Sequence, residues 1–265
     1  MGWFIYPEDD AAIQAMLKTR ATQLKAEIKD AMEKGITLDM EVEQQYKDVE
    51  MIREKFPGIL LIENPENRGV APSRNQALRL SKGRYIVILD ADMLLIENSL
   101  EYMVKFMEEK KDAGLCGCML ISKKQIIQPN ARRYPTPLSL LLRRFAFLNF
   151  VRNSKILQYH EMAEWDRKDI REVDYVIGAC QMIRREALEM VGYLDEKIFY
   201  GPEDIDYCLR MYRHGWKVYF YPHTRIIHYE QRITKRKLFS KITLLHLLGI
   251  IYLFAKYKGA LRRIE

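Results

Sequence analysis

Cysteine is scarce in this 265-residue chain, and its spacing excludes two kinds of small-domain architecture. The cysteines form no C-x-x-C pair, and no His/Cys cluster has the spacing of zinc ligands. A structural zinc or a disulfide framework is therefore not indicated, and we expect reduced thiols in a cytoplasmic protein. The residues concerned are Cys116, Cys118, Cys180 and Cys208.

A long apolar run is also missing. The best candidate, residues 244–255 (LLHLLGIIYLFA), has 12 residues and contains His246, whereas a membrane-spanning helix needs about 20. The N-terminus MGWFIYPEDD lacks a basic region followed by an apolar stretch, so no signal peptide is predicted. Because basic residues flank 244–255, this segment either lies peripherally on the inner face of an anionic membrane or packs on its own domain.

The chain has no finger, RNP-like or helix-turn-helix signature, so no nucleic-acid partner is predicted. It has 43 Lys and Arg against 36 Asp and Glu, a formal charge of +7. This excess favours other anionic partners, such as nucleotides or acidic lipids. A hydrophobic content of 48% is enough to bury a sizeable core. The oligomeric state is not indicated.

Periodicity divides the chain into three parts. Apolar residues recur at helical spacing over 10–34 and again over 42–56, so residues 1–57 are predicted to be a helical segment, poor in strand signals apart from WFIY. Residues 58–230 alternate short apolar runs with helical stripes. Residues 231–265 are basic and apolar and are predicted to be helical.

The alternation over 58–230 predicts an α/β domain with a mixed, mainly parallel sheet flanked by helices. The segment 123–172 is irregular, basic and aromatic, which is more typical of an inserted lid or a substrate-facing segment than of core. The predicted strands are 59–63, 85–89, 114–121, 173–183 and 217–222, and the predicted helices are 72–82, 98–110, 185–191 and 203–214.

Two acids directly follow one of these buried strands. Asp90 and Asp92 come after YIVIL (85–89), at the carboxyl end of the strand, where open α/β sheets bind their ligands. Two carboxylates there suit a hard divalent cation that bridges a diphosphate. Acid-x-acid pairs also arise by chance, so the alternative is a solvated loop.

The stretch GPEDIDYCLR (201–210) carries three acids at a predicted helix start. Acids in a first turn favour the helix dipole, which accounts for Glu203 and Asp206 as a solvated helix start. Asp204 precedes Cys208 by four residues and therefore lies at the edge of the apolar face. A partly desolvated carboxylate there makes Asp204 the candidate general base.

Two further groups lie beside predicted helix and strand ends. Arg74 and Asn75 fall in the first turn of the helix near Pro72, where backbone N–H groups and a guanidinium can receive a phosphate. The alternative for Arg74 is an ordinary surface charge. His228 ends a short apolar run and is either a structural hydrogen-bonding group or a metal ligand.

Taken together, residues 46–230 resemble the inverting family-2 glycosyltransferases of the GT-A fold, especially the rhamnosyltransferase-like branch that builds bacterial surface polysaccharides. The resemblance rests on the order and spacing of four segments. They are FPGILLIENPENRGVAPSRNQAL, GRYIVILDADM, REVDYVIGACQMIRREALEMVGYLDE and FYGPEDIDYCLRMYRHGWKVYFYPHTRIIHY.

The resemblance implies a metal-dependent, inverting transfer of a sugar. Asp90-x-Asp92 would be the motif for the metal and the donor phosphates, with Asp92 the direct ligand of Mg²⁺ or Mn²⁺ and His228 a second ligand. Asp204 would remove the proton of the acceptor hydroxyl.

The resemblance also implies where the substrates bind. Arg74 and Asn75 would lie near the donor, a dTDP- or UDP-sugar, while Gly178, Ala179 and Glu203 would line the pocket of the sugar or acceptor. The acceptor would be a saccharide, either free or linked to a lipid.

The N-terminal segment departs from the family pattern. Family members begin with two strands that hold the nucleoside, whereas residues 1–57 here are predicted to be helical. Either the chain is truncated or rearranged, or a partner supplies the missing pocket, or nucleotide binding has been lost. The last alternative would make it a catalytically impaired binding or assembly subunit.

Overall fold

The computed structural model describes residues 3–5, 49–56, 58–96, 98–146, 148–229, 241–259 and 261, and for residues 3–5 the backbone alone. Its strands are β1 (Trp3–Ile5), β2 (Leu60–Ile62), β3 (Tyr85–Leu89), β4 (Met93–Leu95), β5 (Ala113–Ile121), β6 (Ile127–Gln128), β7 (Ala131–Arg132), β8 (Arg171–Glu172), β9 (Tyr175–Val176), β10 (Cys180–Arg184) and β11 (Lys217–His228). Its helices are α1 (Val70–Leu80), α2 (Ser99–Glu109), α3 (Pro137–Arg144), α4 (Asn149–Arg152), α5 (Lys155–His160), α6 (Arg185–Val191), α7 (Glu203–Arg213) and α8 (Lys241–Lys256).

The central sheet confirms the mixed α/β architecture but corrects the expectation of a mainly parallel one. The strand order is β3, β10, β5, β11, β4, with β6 beside β5 and β8 beside β11. Within the described residues only β5 and β11 pair in parallel, and the other pairs are antiparallel. The prediction failed because an apolar run reports burial on both faces, which does not depend on strand direction.

Alternate side chains of the sheet pack into two layers, as the two-residue period of a strand requires. Val218 and Phe220 of β11 face one core cluster, which α1, α6 and α7 cover. Tyr219, between them, faces a second cluster, which α2 covers. The predicted helices and strands of this three-layer domain are confirmed to within a few residues at their ends, apart from the segments described below.

The N-terminal segment contains a strand that the sequence analysis did not predict. β1 pairs antiparallel with β2, with Phe4 opposite Leu61, so a strand lies next to ILLIE. Residues 49–55 are helical, in agreement with the pattern over 42–56. The helix predicted over 10–34 lies outside the described residues. The domain boundaries at 57 and 230 also fall outside them and stay predictions.

Two other predicted elements differ in ways that place functional residues. The strand predicted over 173–183 is interrupted, because β9 pairs with β7 instead of the main sheet and residues 177–179 form the connection to β10. The strand predicted over 217–222 runs on to His228, with an irregularity between Tyr221 and Arg225. The side chain of His228 therefore stands at the end of a sheet strand.

The segment 123–172, predicted to be irregular, contains α3, α4, α5 and short strands. The start of α3 has a readable signal that the sequence analysis missed. The Thr136 hydroxyl accepts a hydrogen bond from the Ser139 N–H, the Ser139 hydroxyl oxygen accepts one from the Thr136 N–H, and Pro137 fills the first helical position.

The C-terminal helix α8 packs on the start of α7. Asp206 of α7 is fully buried, and its carboxylate pairs with Arg210 of the same helix and accepts hydrogen bonds from Lys256 Nζ at 2.6 Å and from the Tyr257 hydroxyl at 2.8 Å. A Cβ added at Gly249 would lie 2.8 Å from the Gly201 carbonyl oxygen, so the helix approaches the loop closely. The prediction that Asp206 belongs to a solvated helix start is therefore wrong.

The opposite face of α8 is exposed and apolar. One face of α8 thus packs on the domain, as one of the two readings predicted, whereas contact of the other face with a membrane stays a prediction. Among the described residues, no helix combines the length and apolar character that crossing a membrane requires. The exposed residues are Leu244, Leu247, Leu248 and Ile251.

The four cysteines are free and buried in this structure, and the reduced state of their thiols stays a prediction. Cys118 and Cys180 lie on the neighbouring strands β5 and β10, and their sulfur atoms are 3.9 Å apart. Burial raises the pKa of Cys116 and Cys208, so these thiols are inert core residues.

Candidate active site

One arginine joins two of the predicted site segments. Arg74 lies in α1, Asp90 directly follows β3, and Glu203 is the first residue of α7. The Arg74 guanidinium contacts the Asp90 carboxylate at 2.8 Å and the Glu203 carboxylate at 3.1 Å. Since Arg74 is only 5% exposed, it is no ordinary surface charge. It neutralises two acids that would otherwise repel each other.

The connection between β9 and β10 completes this junction. The Gly178 N–H donates to Asp204 Oδ2 at 3.1 Å, and the Ala179 carbonyl accepts from the Asp90 N–H at 2.9 Å. A Cβ at Gly178 would lie 2.4 Å from Arg74 Nη1. Only glycine therefore lets the guanidinium reach both acids. Gly178 and Ala179 thus lie between Asp90 and Asp204, and their predicted place in the sugar or acceptor pocket stays a prediction.

The neighbouring acids Glu203 and Asp204 have different surroundings. Asp204 is partly exposed, and its Oδ1 and Oδ2 accept hydrogen bonds from the N–H groups of Ile205 and Gly178, which fix the carboxylate in one orientation. Glu203 is buried, contrary to the predicted solvated helix start. Burial raises the pKa of Glu203 to about 7, although the charge of Arg74 opposes the rise. Its Oε2 has no hydrogen-bond partner among the described residues.

The two predicted metal ligands face each other. Asp92 Oδ1 lies 3.6 Å from His228 Nε2. Gln128 of β6, which the sequence analysis missed, fixes this histidine: its Nε2 donates to the His228 carbonyl at 3.1 Å, so its Oε1 is the atom that contacts His228 Nδ1 at 2.7 Å. Nδ1 therefore carries a proton, and Nε2, on the Asp92 side, is the ring nitrogen that a metal would use.

These residues fit a divalent cation that is only partly coordinated by protein. No group of three or more His, Cys, Asp or Glu residues suited to a metal occurs within the described ranges. A carboxylate and an imidazole leave most coordination positions to water and phosphate oxygens, which is how Mg²⁺ is commonly held with a phosphorylated substrate.

Asn75 does not contact the cleft, in contrast to its predicted place near the donor. It is fully buried, and its amide bonds with both the N–H and the carbonyl of Leu194 and with the Glu196 carboxylate. The prediction failed because Asn75 follows Arg74 on α1 and points to a different side of the helix. Its role is to hold the 194–196 loop.

A second group of charged residues, Arg132, Arg143 and His160, includes two arginines that lie within electrostatic range of Asp204. The sequence analysis did not predict these residues individually. The positive charge of Arg132 and then burial lower the pKa of Arg143. Burial, together with the charges of Arg132 and Arg143, lowers the pKa of His160 to about 3. The basic and aromatic composition of 123–172 was the one signal of this group in the sequence.

A model of the family described as glycosyl transferase family 2 matches residues 42–192, more than half of the chain. The chain belongs to glycosyl transferase family 2. The matched range contains Arg74, Asp90, Asp92 and Gly178, while Asp204 and His228 lie beyond it. The resemblance to this family is thereby confirmed.

Two curated relatives cover most of this family-2 chain. An uncharacterized glycosyltransferase of Methanocaldococcus jannaschii is 26% identical over 215 residues, 75% of this chain and 63% of the relative. An N-acetylglucosaminyl-diphospho-decaprenol L-rhamnosyltransferase of Mycobacterium tuberculosis is 21% identical over 217 residues, 78% of this chain and 70% of the relative. The rhamnosyltransferase-like character of the sequence is therefore confirmed, although the chain spans only about two thirds of these relatives.

A solved structure is also similar. It is the mannosyltransferase PcManGT from Pyrobaculum calidifontis in complex with GDP-Man and Mn²⁺. The TM-score is 0.47 and the identity 19%, with 77% of this chain and 47% of that chain covered.

Proposed function

We propose that this chain transfers a sugar, with inversion, from a nucleotide-sugar donor to a saccharide acceptor in the synthesis of a surface polysaccharide, and that it requires Mg²⁺ or Mn²⁺. The observation that carries the proposal is the convergence of three distant segments. Arg74 connects Asp90 to Glu203, and Gly178 connects Arg74 to Asp204. Asp90 of the donor motif and the candidate base Asp204 thus meet at one junction, which supports the proposal.

Each side chain has a role in this proposal. Asp92 and His228 would hold the cation, which when bound stabilises the negative charge of the departing diphosphate. Asp204 takes the proton from the acceptor hydroxyl as that oxygen forms a bond to the anomeric carbon. The bond from that carbon to the donor phosphate breaks on the opposite side, and the nucleoside diphosphate leaves with the electron pair. A single displacement inverts the anomeric centre.

The donor is a dTDP- or UDP-sugar and the acceptor a saccharide linked to a lipid. The relative from M. tuberculosis is named for a diphospho-decaprenol acceptor, and the exposed apolar face of α8 suits peripheral contact with the inner face of a membrane. Further exposed apolar residues occur on α3 and α4 and in the residues between them, and they are Leu138, Leu141, Phe145, Leu148 and Phe150.

The test separates donor binding from transfer. Calorimetry with dTDP- and UDP-sugars, with Mn²⁺ and with EDTA, should show binding that depends on the metal. Asp204→Asn should keep this binding and its thermal midpoint but lose about 10²- to 10⁴-fold in kcat. The exposed Asp166→Asn is the matched control and should transfer normally. Metal-independent donor binding would contradict the proposal. Absence of transfer in the wild type, with binding intact, would favour the impaired binding subunit.

A further inference from the structure

Two arginines lie on the acceptor side of the cleft without the carboxylates that Arg74 has. Arg132 of β7 is 8% exposed and its Nε donates to the Pro129 carbonyl at 2.8 Å. Arg143 of α3 has its Nε 4.0 Å from Glu161 Oε1, and among the described residues this is the single carboxylate within ion-pair distance of either guanidinium. Within the described part of the chain, Arg143 therefore has one carboxylate at the limit of ion-pair distance, and Arg132 has none.

The surroundings of the two arginines are buried and aromatic. Arg132 stands opposite Tyr175 in the β7–β9 pair, and the Tyr175 hydroxyl lies 3.5 Å from His160 Nε2. His160 is 1% exposed, and its Nδ1 has no hydrogen-bond partner within the described part of the chain. Like charges gathered beside an unpartnered buried polar atom are unfavourable unless an anion compensates them.

The position of this pair points to the acceptor, not the donor. Although burial opposes it, the pKa of Arg132 is raised, with Tyr175 as the first cause and Asp204 among the others. Burial lowers the pKa of His246 on α8, and the charge of Arg143 adds to this effect. Arg132 and Arg143 therefore both lie within electrostatic range of Asp204, and Arg143 also lies within range of His246 on α8.

We propose that Arg132 and Arg143 bind the diphosphate of a lipid-linked acceptor and thereby place its sugar hydroxyl at Asp204. The inference rests on the proposed function. A diphosphate carries the negative charge that the pair lacks, and two guanidinium forks bind its oxygens with directed hydrogen bonds. The lipid would then pass along the exposed apolar side chains of α3 and α8.

The direct test measures binding of a short-chain alkyl diphospho-N-acetylglucosamine by calorimetry in EDTA, without nucleotide. Arg143→Gln should weaken binding about 10- to 100-fold, and Arg143→Lys should restore part of it. Arg132→Gln should act in the same direction, and the partly exposed Arg143 keeps the test valid if the buried Arg132 variant fails to fold. The exposed Arg152→Gln on α4 is the matched control and should bind as the wild type does.

Further measurements separate this site from the alternatives. In transfer assays, the preference of Arg143→Gln for the diphosphate acceptor over a phosphate-free alkyl glycoside should fall by the same factor as the binding constant. Unchanged binding of the alkyl diphosphate would overturn the proposal. It would also be overturned if the variant lost only nucleotide–Mn²⁺ binding or only binding to vesicles of anionic phospholipid. If the wild type binds the alkyl diphosphate but transfers nothing, the anion site stands and the proposed function fails.

Discussion

The two ends of the cleft differ in how their charges are balanced. At the donor end, one buried arginine is matched by two carboxylates at 2.8 and 3.1 Å. At Arg132 and Arg143, where we propose that the acceptor binds, the one carboxylate within ion-pair distance among the described residues is Glu161, which lies 4.0 Å from Arg143. A buried arginine that is paired with carboxylates stabilises the fold whether or not a substrate is present. Buried arginines without enough carboxylates are unfavourable until an anion binds beside them. This imbalance, more than the number of charges, is the reason we propose an anionic ligand at Arg132 and Arg143.

The strongest way to break this comparison is to remove the balancing charge at the donor end. Arg74→Met would leave Asp90 and the buried Glu203 unpaired at pH 8, so the free energy of unfolding should fall by about 3–5 kcal/mol. Urea denaturation followed by circular dichroism would measure it. The matched control is Arg79→Met on the same helix, whose ion pair with Glu196 is exposed and contributes under about 1 kcal/mol. Equal costs for the two variants would mean that the donor-end network is not structural.

A second prediction concerns the pH dependence of stability at Glu203. Its pKa is raised from 4.5 to about 7 in the folded protein. The stability that protonated Glu203 contributes to the folded protein is therefore fully present below pH 4.5 and is lost as the pH rises to about 7. The free energy of unfolding of the wild type, relative to Glu203→Gln, should fall across this window by on the order of 3 kcal/mol and stay flat above it.

Glu196→Gln is the matched control for this pH series. Hydrogen bonds from Asn75 and then Arg79 lower the pKa of Glu196. The stability that Glu196 contributes is therefore lost as the pH falls, which is the opposite of the Glu203 case. Its carboxylate is exposed, which makes the effect small. If the free energy of unfolding relative to Glu203→Gln instead rose with pH, as it should for Glu196→Gln, the raised pKa of the buried Glu203 would be contradicted.

The smallest expected effect concerns Gln128, whose hydrogen bonds hold the ring of the candidate metal ligand His228. Gln128→Ala would free the His228 ring to rotate and exchange tautomers, so Mn²⁺ affinity in the presence of a nucleoside diphosphate should fall about 10-fold. Electron paramagnetic resonance of free Mn²⁺ would measure this loss. The exposed Gln125→Ala should bind as the wild type does. Unchanged affinity in Gln128→Ala would show that the hydrogen bond does not hold a ligand.

Much of the fold could be predicted because its signals are local. Apolar periodicity and glycine or proline stops located α1, α2, α6 and α7 to within two residues at each end. Strand direction could not be predicted, because burial on both faces produces the same apolar run in parallel and antiparallel strands. β1 was missed because three residues carry too little pattern to outweigh the helical stripe that follows them.

The candidate site was predictable where a residue type follows a strand or helix end. Asp90, Asp92 and Asp204 were found in this way, and the structure places Asp90 and Asp204 at one junction. Burial of Glu203 was not predictable, because its partner Arg74 lies far away along the chain, on α1. Gln128 was missed for the same reason, since a glutamine gains its role only when β6 and β11 meet.

The anchoring of Asp206 by Lys256 and Tyr257 sets an order for biosynthesis. On the ribosome, α7 is made before α8, and domains form as their segments emerge. Before α8 is made, the hydrogen bonds from Lys256 and Tyr257 to Asp206 are absent, and Arg210 of the same helix is its remaining charged partner. The turn that carries Glu203 and Asp204 therefore gains its last support only when the C-terminal helix has been made.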